Sequence, residues 1–425
     1  MTIIAENGTI FIALAVAFGL FMTWGIGAND VANAMGTSVG SGAIGIRQAI
    51  LIAAVFEFAG AAIAGGHVTK TIRKGIIDPS SIMDHPEVLV LGMLAALFAA
   101  ATWLAIASVK GWPVSTTHSI VGAVVGFAIA GIGMDAVQWG KIGGIVASWV
   151  VSPLLGGAIA FALMISIQRL ILNSDKPFEN ALKWGPIYTF LVGFTISLIT
   201  LFKGLKHLDL ELSVGMSFFY AALIGMAISI IGSWMMRRIK IDPHADDSFH
   251  FASVEKVFGP LVLFTACAMA FAHGSNDVAN GIGPLAAVYG LVESGGEVSQ
   301  NSPLPLWILV LGGIGIVIGL ATYGYRVMRT IGTQITDLTP TRGFCATMGA
   351  AITVVLASRT GMPVSTTHIA VGAVMGVGLA RGIAALNLEV IGKIVVSWVI
   401  TLPAAGIMSA MLYYFLKGVF IPLPG

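Results

Sequence analysis

Gly27-Ala-Asn-Asp-Val-Ala-Asn33-Ala-Met-Gly36 recurs 247 positions later as Gly274-Ser-Asn-Asp-Val-Ala-Asn280-Gly-Ile-Gly283. Working outward, Pro113-Val-Ser-Thr-Thr-His118 recurs unchanged as Pro363 to His368, 250 positions on, and each copy continues into Val-Gly-Ala-Val. Ser148-Trp149 against Ser397-Trp398 is a third echo. Three landmarks in one order at nearly one offset define an internal duplication. Residues 1–170 form a first unit, 255–425 a second, and 171–254 link them through two apolar segments and a polar loop.

Composition sets the solvent for this chain. Its residues are 57% hydrophobic and only 10% charged, with a mean hydropathy of +0.93, whereas a soluble domain is roughly one-quarter charged. A membrane helix needs about 20 apolar residues. Apolar segments run near 10–28, 44–65, 88–109, 113–133, 141–168, 186–202, 213–235, 257–275, 304–327, 343–357, 363–385 and 390–416. The pattern predicts an all-α polytopic membrane protein with about twelve membrane segments. With five segments in each unit and two in the linker, the second unit begins on the opposite face, giving two inverted repeats. Proteins of that design place their binding sites near the midplane, at interrupted or re-entrant helices.

Other classes drop out. A net charge of +2 is too small for nucleic-acid binding. Cys267 and Cys345 sit in apolar stretches without paired spacing, so neither a disulfide framework nor a thiolate metal site is expected. No Lys or Arg precedes Arg47, so the first apolar run lacks the basic region of a cleavable signal and is expected to stay as a span. With no targeting extension, the expected location is a plasma or bacterial inner membrane. Arg169, Lys176 and Lys183, then Arg237, Arg238 and Lys240, then Arg326 and Arg329 fall on one face if all segments cross. The positive-inside rule makes that face cytoplasmic and puts both termini outside. Lys70, Arg73 and Lys74 run against this assignment.

An acid within a span costs about 2.5 to 3.5 kcal/mol on the insertion scale, so Asp30 and Asp277 call for a reason beyond a structural polar cluster. Each is accompanied by two asparagines, Asn29 and Asn33 or Asn276 and Asn280. Positions i and i+4 share a helical face, which would bring the paired amides together beside the carboxylate. Amide and carboxylate oxygens are the hard ligands that an alkali cation prefers, which makes these six residues candidate sodium ligands. Gly25, Gly27 and Gly274 would let the chain unwind there and expose backbone carbonyls, tolerable in a membrane only around a protein-lined cavity.

Pro-Val-Ser-Thr-Thr-His reads as a helix start, with proline in the first turn and hydroxyls beside unpaired N–H groups. Ser115, Thr116, Thr117, Ser365, Thr366 and Thr367 would form a donor-rich pocket that suits an oxyanion; the plainer alternative is N-capping and Ser/Thr packing. A dianion beside Asp30 and Asp277 would gather about four negative charges in a low-dielectric site with no Lys or Arg in either motif. Mobile cations, sodium ions or protons, would have to bind with the anion. That is the physical case for symport.

His118 and His368 are expected to donate to backbone carbonyls rather than to hold a metal. Glu57 lies in the second segment, where the aligned position of the other copy is Ile316, and both a cation site and packing are open to it. Asp242, His244, Asp246, Asp247 and His250 form a polar loop expected to be solvated linker. Gly122-x-x-x-Gly126 and Gly372-x-x-x-Gly376 look like close helix packing. No metalloprotease, nucleophile-elbow or P-loop signature is present, so an enzyme such as a membrane phosphatase is not expected.

At the duplicated Gly27–Gly36 and Pro113–His118 motifs, and across nearly the whole chain, the sequence resembles the PiT family of inorganic phosphate transporters, which are sodium- or proton-coupled. The resemblance implies phosphate between Ser115–Thr117 and Ser365–Thr367, with Asp30, Asp277 and their Asn neighbours holding coupling cations or framing the anion. It also implies an inverted-repeat fold, outside termini, a homodimer in the lipid bilayer, alternating access and no cofactor beyond the coupling ion. Sulfate or another oxyanion is the nearest alternative substrate. The long central hydrophilic domain of some members is absent here.

Overall fold

The computed structural model describes residues 3–65, 76–78, 81, 85–201, 212–239, 251–297, 304–359 and 364–421. Pro363, the basic trio Lys70, Arg73 and Lys74, and the polar loop from Asp242 to His250 lie outside the described residues. Hydrocarbon offers no water to backbone N–H and C=O groups, so spanning segments must satisfy them internally. The described residues are accordingly almost all helical, and their isolated β-bridge pairs Ile77 with Val137.

In chain order the helices are α1 (Ile3–Asn29), α2 (Val31–Gly40), α3 (Ile46–Ala64), α4 (Pro86–Lys110), α5 (Thr116–Gly131), α6 (Trp139–Ile167) and α7 (Pro177–Ile199). They continue as α8 (Val214–Met236), α9 (Ala252–Glu293), α10 (Leu306–Arg329), α11 (Pro340–Arg359), α12 (Thr366–Ala380) and α13 (Leu388–Phe420). Every one of the twelve apolar segments holds a helix. Among the described residues, ten helical stretches, with α1 and α2 counted together, are long and apolar enough to cross a membrane. The exceptions are α5, with 16 residues, and α12, with 15. At 1.5 Å per residue they reach about 24 and 22 Å, short of the roughly 30 Å hydrocarbon core.

Both short helices start inside the protein. Gly111, at φ 68°, ends α4 in the left-handed conformation that glycine adopts without penalty. Ser115 then caps α5 by accepting the His118 N–H, and Ser365 caps α12 by accepting that of His368. The capping alternative from the sequence therefore holds for the two serines.

The two copies do not pack as separate bundles; they grip each other in matched pairs. On α5, Gly122 and Gly126 face the backbone of Leu402 and Gly406 on α13, while on α12 Gly372 and Gly376 face Pro153 and Gly157 on α6. Trp103 on α4 donates its indole N–H to Thr401 on α13 at 3.0 Å. The Gly-x-x-x-Gly runs thus give close helix packing, as their spacing suggested.

The glycines of the Asn-Asp motif have a different role from the one their conformational freedom suggested. The chain does not unwind around Gly274, because α9 is one continuous helix through the second motif. A Cβ on Gly27 would run into the carbonyl oxygen of Ile316 on α10, and one on Gly274 into that of Glu57 on α3. These glycines serve helix contact. In the first copy the helix does break, at the single residue Asp30 between α1 and α2. In the second copy the backbone ladder is interrupted instead by Pro284, which has no N–H for the Asn280 carbonyl four residues earlier.

Candidate transport site

The break at Asp30, the matching stretch of α9 and the starts of α5 and α12 meet in one buried cluster. Asn29, Asp30, Asn33, Asn276, Asp277, Asn280 and the Thr and Ser residues of both hydroxyl triplets are each at most 1% exposed. Asp30, Asn33, Asn276, Asp277, Asn280, Thr116, Thr117, Thr366 and Thr367 are joined there by hydrogen bonds, while Ser115 and Ser365 cap the helix starts and Asn29 bonds the chain before α5.

Partner choice crosses between the copies. Thr116 donates to Asp30 Oδ2 at 2.7 Å, and Thr367, from the other copy, to Asp30 Oδ1 at 2.9 Å. Thr366 donates to Asp277 Oδ2. The Asn33 amide donates to Thr367 Oγ1 at 3.0 Å, and the Asn280 amide returns the relation to Thr116 and Thr117 at 3.1 and 3.2 Å. The two helix starts also touch, because Thr117 donates to the Val364 carbonyl at 3.2 Å and Thr367 Oγ1 lies 3.2 Å from the Val114 carbonyl, sharing its proton with Asp30.

The expected convergence of paired asparagines holds in one copy only. Asn276 and Asn280 both donate to Asp277 Oδ1, at 3.0 and 3.3 Å. Asn29 turns away from Asn33, donating to the Trp112 carbonyl at 2.9 Å and accepting from Val114 N–H at 3.1 Å. Asn33 Oδ1 and Asn276 Oδ1 have no hydrogen-bond partner although both are buried. Such oxygens ordinarily find a partner, and as hard donors they suit an alkali cation.

One residue of the cluster carried no signal in the duplicated pattern. His273 directly precedes the second motif and lies one helical turn before Asp277, with its Nε2 2.8 Å from Asp277 Oδ2. Its Nδ1 lies 2.8 Å from Glu57 Oε2. Position 26, its counterpart in the first copy, is isoleucine, so comparison of the repeats hid it. Glu57, His273 and Asp277 form a chain with no exposed surface. The ligating atoms of Asp30, His273 and Asp277 lie within 4.8 Å of one another, a grouping able to hold a cation.

His118 and His368 sit behind the site rather than in it. His368 Nδ1 is 3.2 Å from the Trp149 carbonyl, and each imidazole lies 3.6 Å from an indole, His118 on Trp149 and His368 on Trp398. Cys345 is buried and Cys267 partly so, both as free thiols.

The electrostatics are those of an under-neutralised pocket. Three carboxylates and one imidazole occupy it, and among the described residues their hydrogen-bond and ion-pair partners include no Lys or Arg. Two like charges 4 Å apart repel by about 4 kcal/mol at an effective dielectric constant of about 20.

An all-helical membrane fold built around a buried, donor-rich polar cluster is the architecture of a transporter. A model of the phosphate transporter family matches residues 26–409, and the chain belongs to that family. A protein of Haemophilus influenzae named "Putative phosphate permease" is 51% identical over 423 residues, covering 99% of this chain and 100% of its own. A relative from Pyrococcus abyssi bearing the same description is 46% identical over 408 residues, or 96% and 98% of the two chains. Among solved structures, one described as the sodium-dependent phosphate transporter superposes with a TM-score of 0.87 at 40% identity, covering 96% of this chain and 99% of that one.

Proposed function

We propose that the chain carries inorganic phosphate across a bacterial inner membrane by symport with sodium ions, through alternating access of one site shared by two inverted repeats. The observation that carries this reading is the buried cluster in which Asp30 accepts from threonines of both helix starts, Thr116 and Thr367, and Asp277 from Thr366 of the second. Those hydroxyls, with the N–H groups at the helix starts, are the donors an oxyanion needs. The carboxylates are the groups that make cation binding a condition of anion binding.

In this reading phosphate lies between Ser115–Thr117 and Ser365–Thr367, replacing the threonine–carboxylate bonds as it enters. Asn29, Asp30, Asn33, Asn276, Asp277 and Asn280 supply oxygens to sodium, with Asn33 Oδ1 and Asn276 Oδ1 the first to be engaged. The name of the solved relative, a sodium-dependent transporter, favours sodium over protons. Outside termini and a homodimer belong to the same proposal, as does the absence of catalysis.

The test is uptake of labelled phosphate into proteoliposomes under an imposed sodium or proton gradient, for the native chain and for Asp30→Asn and Asp277→Asn. Uptake driven by sodium and lost in both variants is expected. Uptake indifferent to every cation gradient overturns the coupling, and sulfate uptake without phosphate uptake overturns the substrate.

A further inference from the structure

The two copies differ on the way out of the site. Following Asn33 at i+4 and i+8, Thr37 and Ser41 line one face of α2 and its C-terminal cap. Thr37 Oγ1 lies 2.6 Å from Thr347 Oγ1 on α11, and Thr347 donates onward to the Gly343 carbonyl at 2.8 Å, so Thr37 is the donor of the pair. A Cβ on Gly343 would sit 3.0 Å from the Ser41 side chain and 3.1 Å from the Thr37 carbonyl. Thr37, Ser38 and Thr347 are at most 2% exposed, Ser41 is 9% exposed, and the next residue, Gly42, is exposed. A line of hydroxyls thus runs from the site to the surface, closed in this arrangement by the contact of α2 with α11.

The matched positions of the other half are apolar. Pro284 and Val288 stand for Thr37 and Ser41 on α9, and Leu97 and Met93 stand for Thr347 and Gly343 on α4. Leu97, Met93 and Val288 are at most 1% exposed. The backbone differs in the same sense: α2 is joined to α1 through the break at Asp30, whereas its counterpart is the interior of the 42-residue α9.

We propose that Thr37, Ser41 and Thr347 line the route by which phosphate and its cations pass between the site and the face at the C-terminal end of α2, and that α2 opens this route by pivoting at Asp30. The inference rests on the transport reading above. An ion leaving a polar site sheds its ligands one by one, and hydroxyls along the path replace them, as donors and acceptors do in selective pores. Hinges are a few residues at element ends that absorb the change in dihedral angles, and Asp30 is such a residue. It couples the pivot to the ions it binds.

The experiment is a reversible cross-link. Thr37→Cys and Thr347→Cys are introduced together after Cys267→Ala and Cys345→Ala, since side-chain oxygens 2.6 Å apart place two sulfurs within reach of a bond of about 2.05 Å. Uptake of labelled phosphate is measured in proteoliposomes before oxidation, after it and after reduction, with bond formation followed by mass spectrometry. At least a tenfold loss on oxidation, restored by reductant, is expected. Full uptake by cross-linked protein overturns the route, and no uptake by the native chain overturns transport itself; if the parent without native cysteines is inactive, the pair is introduced into the native chain, where Cys345 is buried. Ser41→Cys in the same parent gives a second reading. Its alkylation by a bulky membrane-impermeant maleimide is expected to stop uptake from one face only, and uptake unchanged by complete alkylation overturns the route independently.

Discussion

Glu57 and Ile316 hold the same place in the two halves of the molecule: the carbonyl of Ile316 closes on Gly27 as that of Glu57 closes on Gly274. Their helix neighbours differ in the same way, Ile26 in one half and His273 in the other. One half therefore buries an apolar pair where the other buries a carboxylate–imidazole pair that reaches Asp277.

The exchange can be reversed. Removing one partner of a buried pair costs about 3 to 5 kcal/mol, whereas replacing both by apolar residues is often neutral or stabilising. Glu57→Ile alone is expected to lower the unfolding temperature, and Glu57→Ile with His273→Ile to recover it. Uptake is expected to fall at least tenfold in the double variant, because the Asp277 carboxylate loses its imidazole partner. Melting curves in detergent and phosphate uptake separate the two effects. Native uptake by the double variant would make the pair a packing feature only.

The hydroxyls on the aspartates give a second expectation. A hydrogen bond to a charged group is worth about 1.5 to 3 kcal/mol, and 1.4 kcal/mol is a factor of ten in affinity. Thr116→Val and Thr366→Val keep the side-chain shape while removing one donor each from Asp30 and Asp277. Each is expected to raise the sodium concentration for half-maximal uptake about tenfold or more. Titration of uptake against sodium at fixed phosphate checks this, and unchanged sodium dependence in both variants would remove the aspartates from the cation sites.

Sequence periodicity made the helices, the duplication and the polar character of the two buried motifs legible, because hydropathy and repeated motifs are local signals. Partner choice was not. That Asp30 is bound by Thr367 as well as Thr116 follows from how the copies interlock, which spacing does not encode. The role assigned to Gly27 and Gly274 changed for a related reason: glycine permits both unwinding and close approach, and the facing helix decides between them. His273 carries no signal in the repeat because it stands where the two copies differ, its counterpart being Ile26.

Close approach at those glycines predicts a stability cost. Gly27→Ala and Gly274→Ala push a methyl group against a backbone carbonyl that cannot rotate away, and overpacking of this kind costs about 1 to 3 kcal/mol or more. Gly143→Ala, with nothing within 4 Å of its Cβ position, is the control. Both motif variants are expected to melt below the native protein in detergent while the control does not. Equal melting of all three would show that the α1–α10 and α3–α9 contacts yield readily.

Selectivity follows from the acceptors in the site. Phosphate at neutral pH carries a proton that it can donate to a carboxylate, and sulfate carries none. Facing Asp30 and Asp277, sulfate would leave acceptor oxygens unpaired and would set its own oxygens against theirs. A site built to accept a hydrogen bond from its substrate rejects an analogue lacking the donor by about 10⁴ or more. Sulfate in a hundredfold excess is accordingly expected to leave the initial rate of labelled phosphate uptake unchanged, whereas arsenate, which is protonated like phosphate, competes. Inhibition by sulfate at concentrations comparable to phosphate would mean that the aspartates face only the cations, leaving the threonines and helix starts to recognise any tetrahedral oxyanion alike.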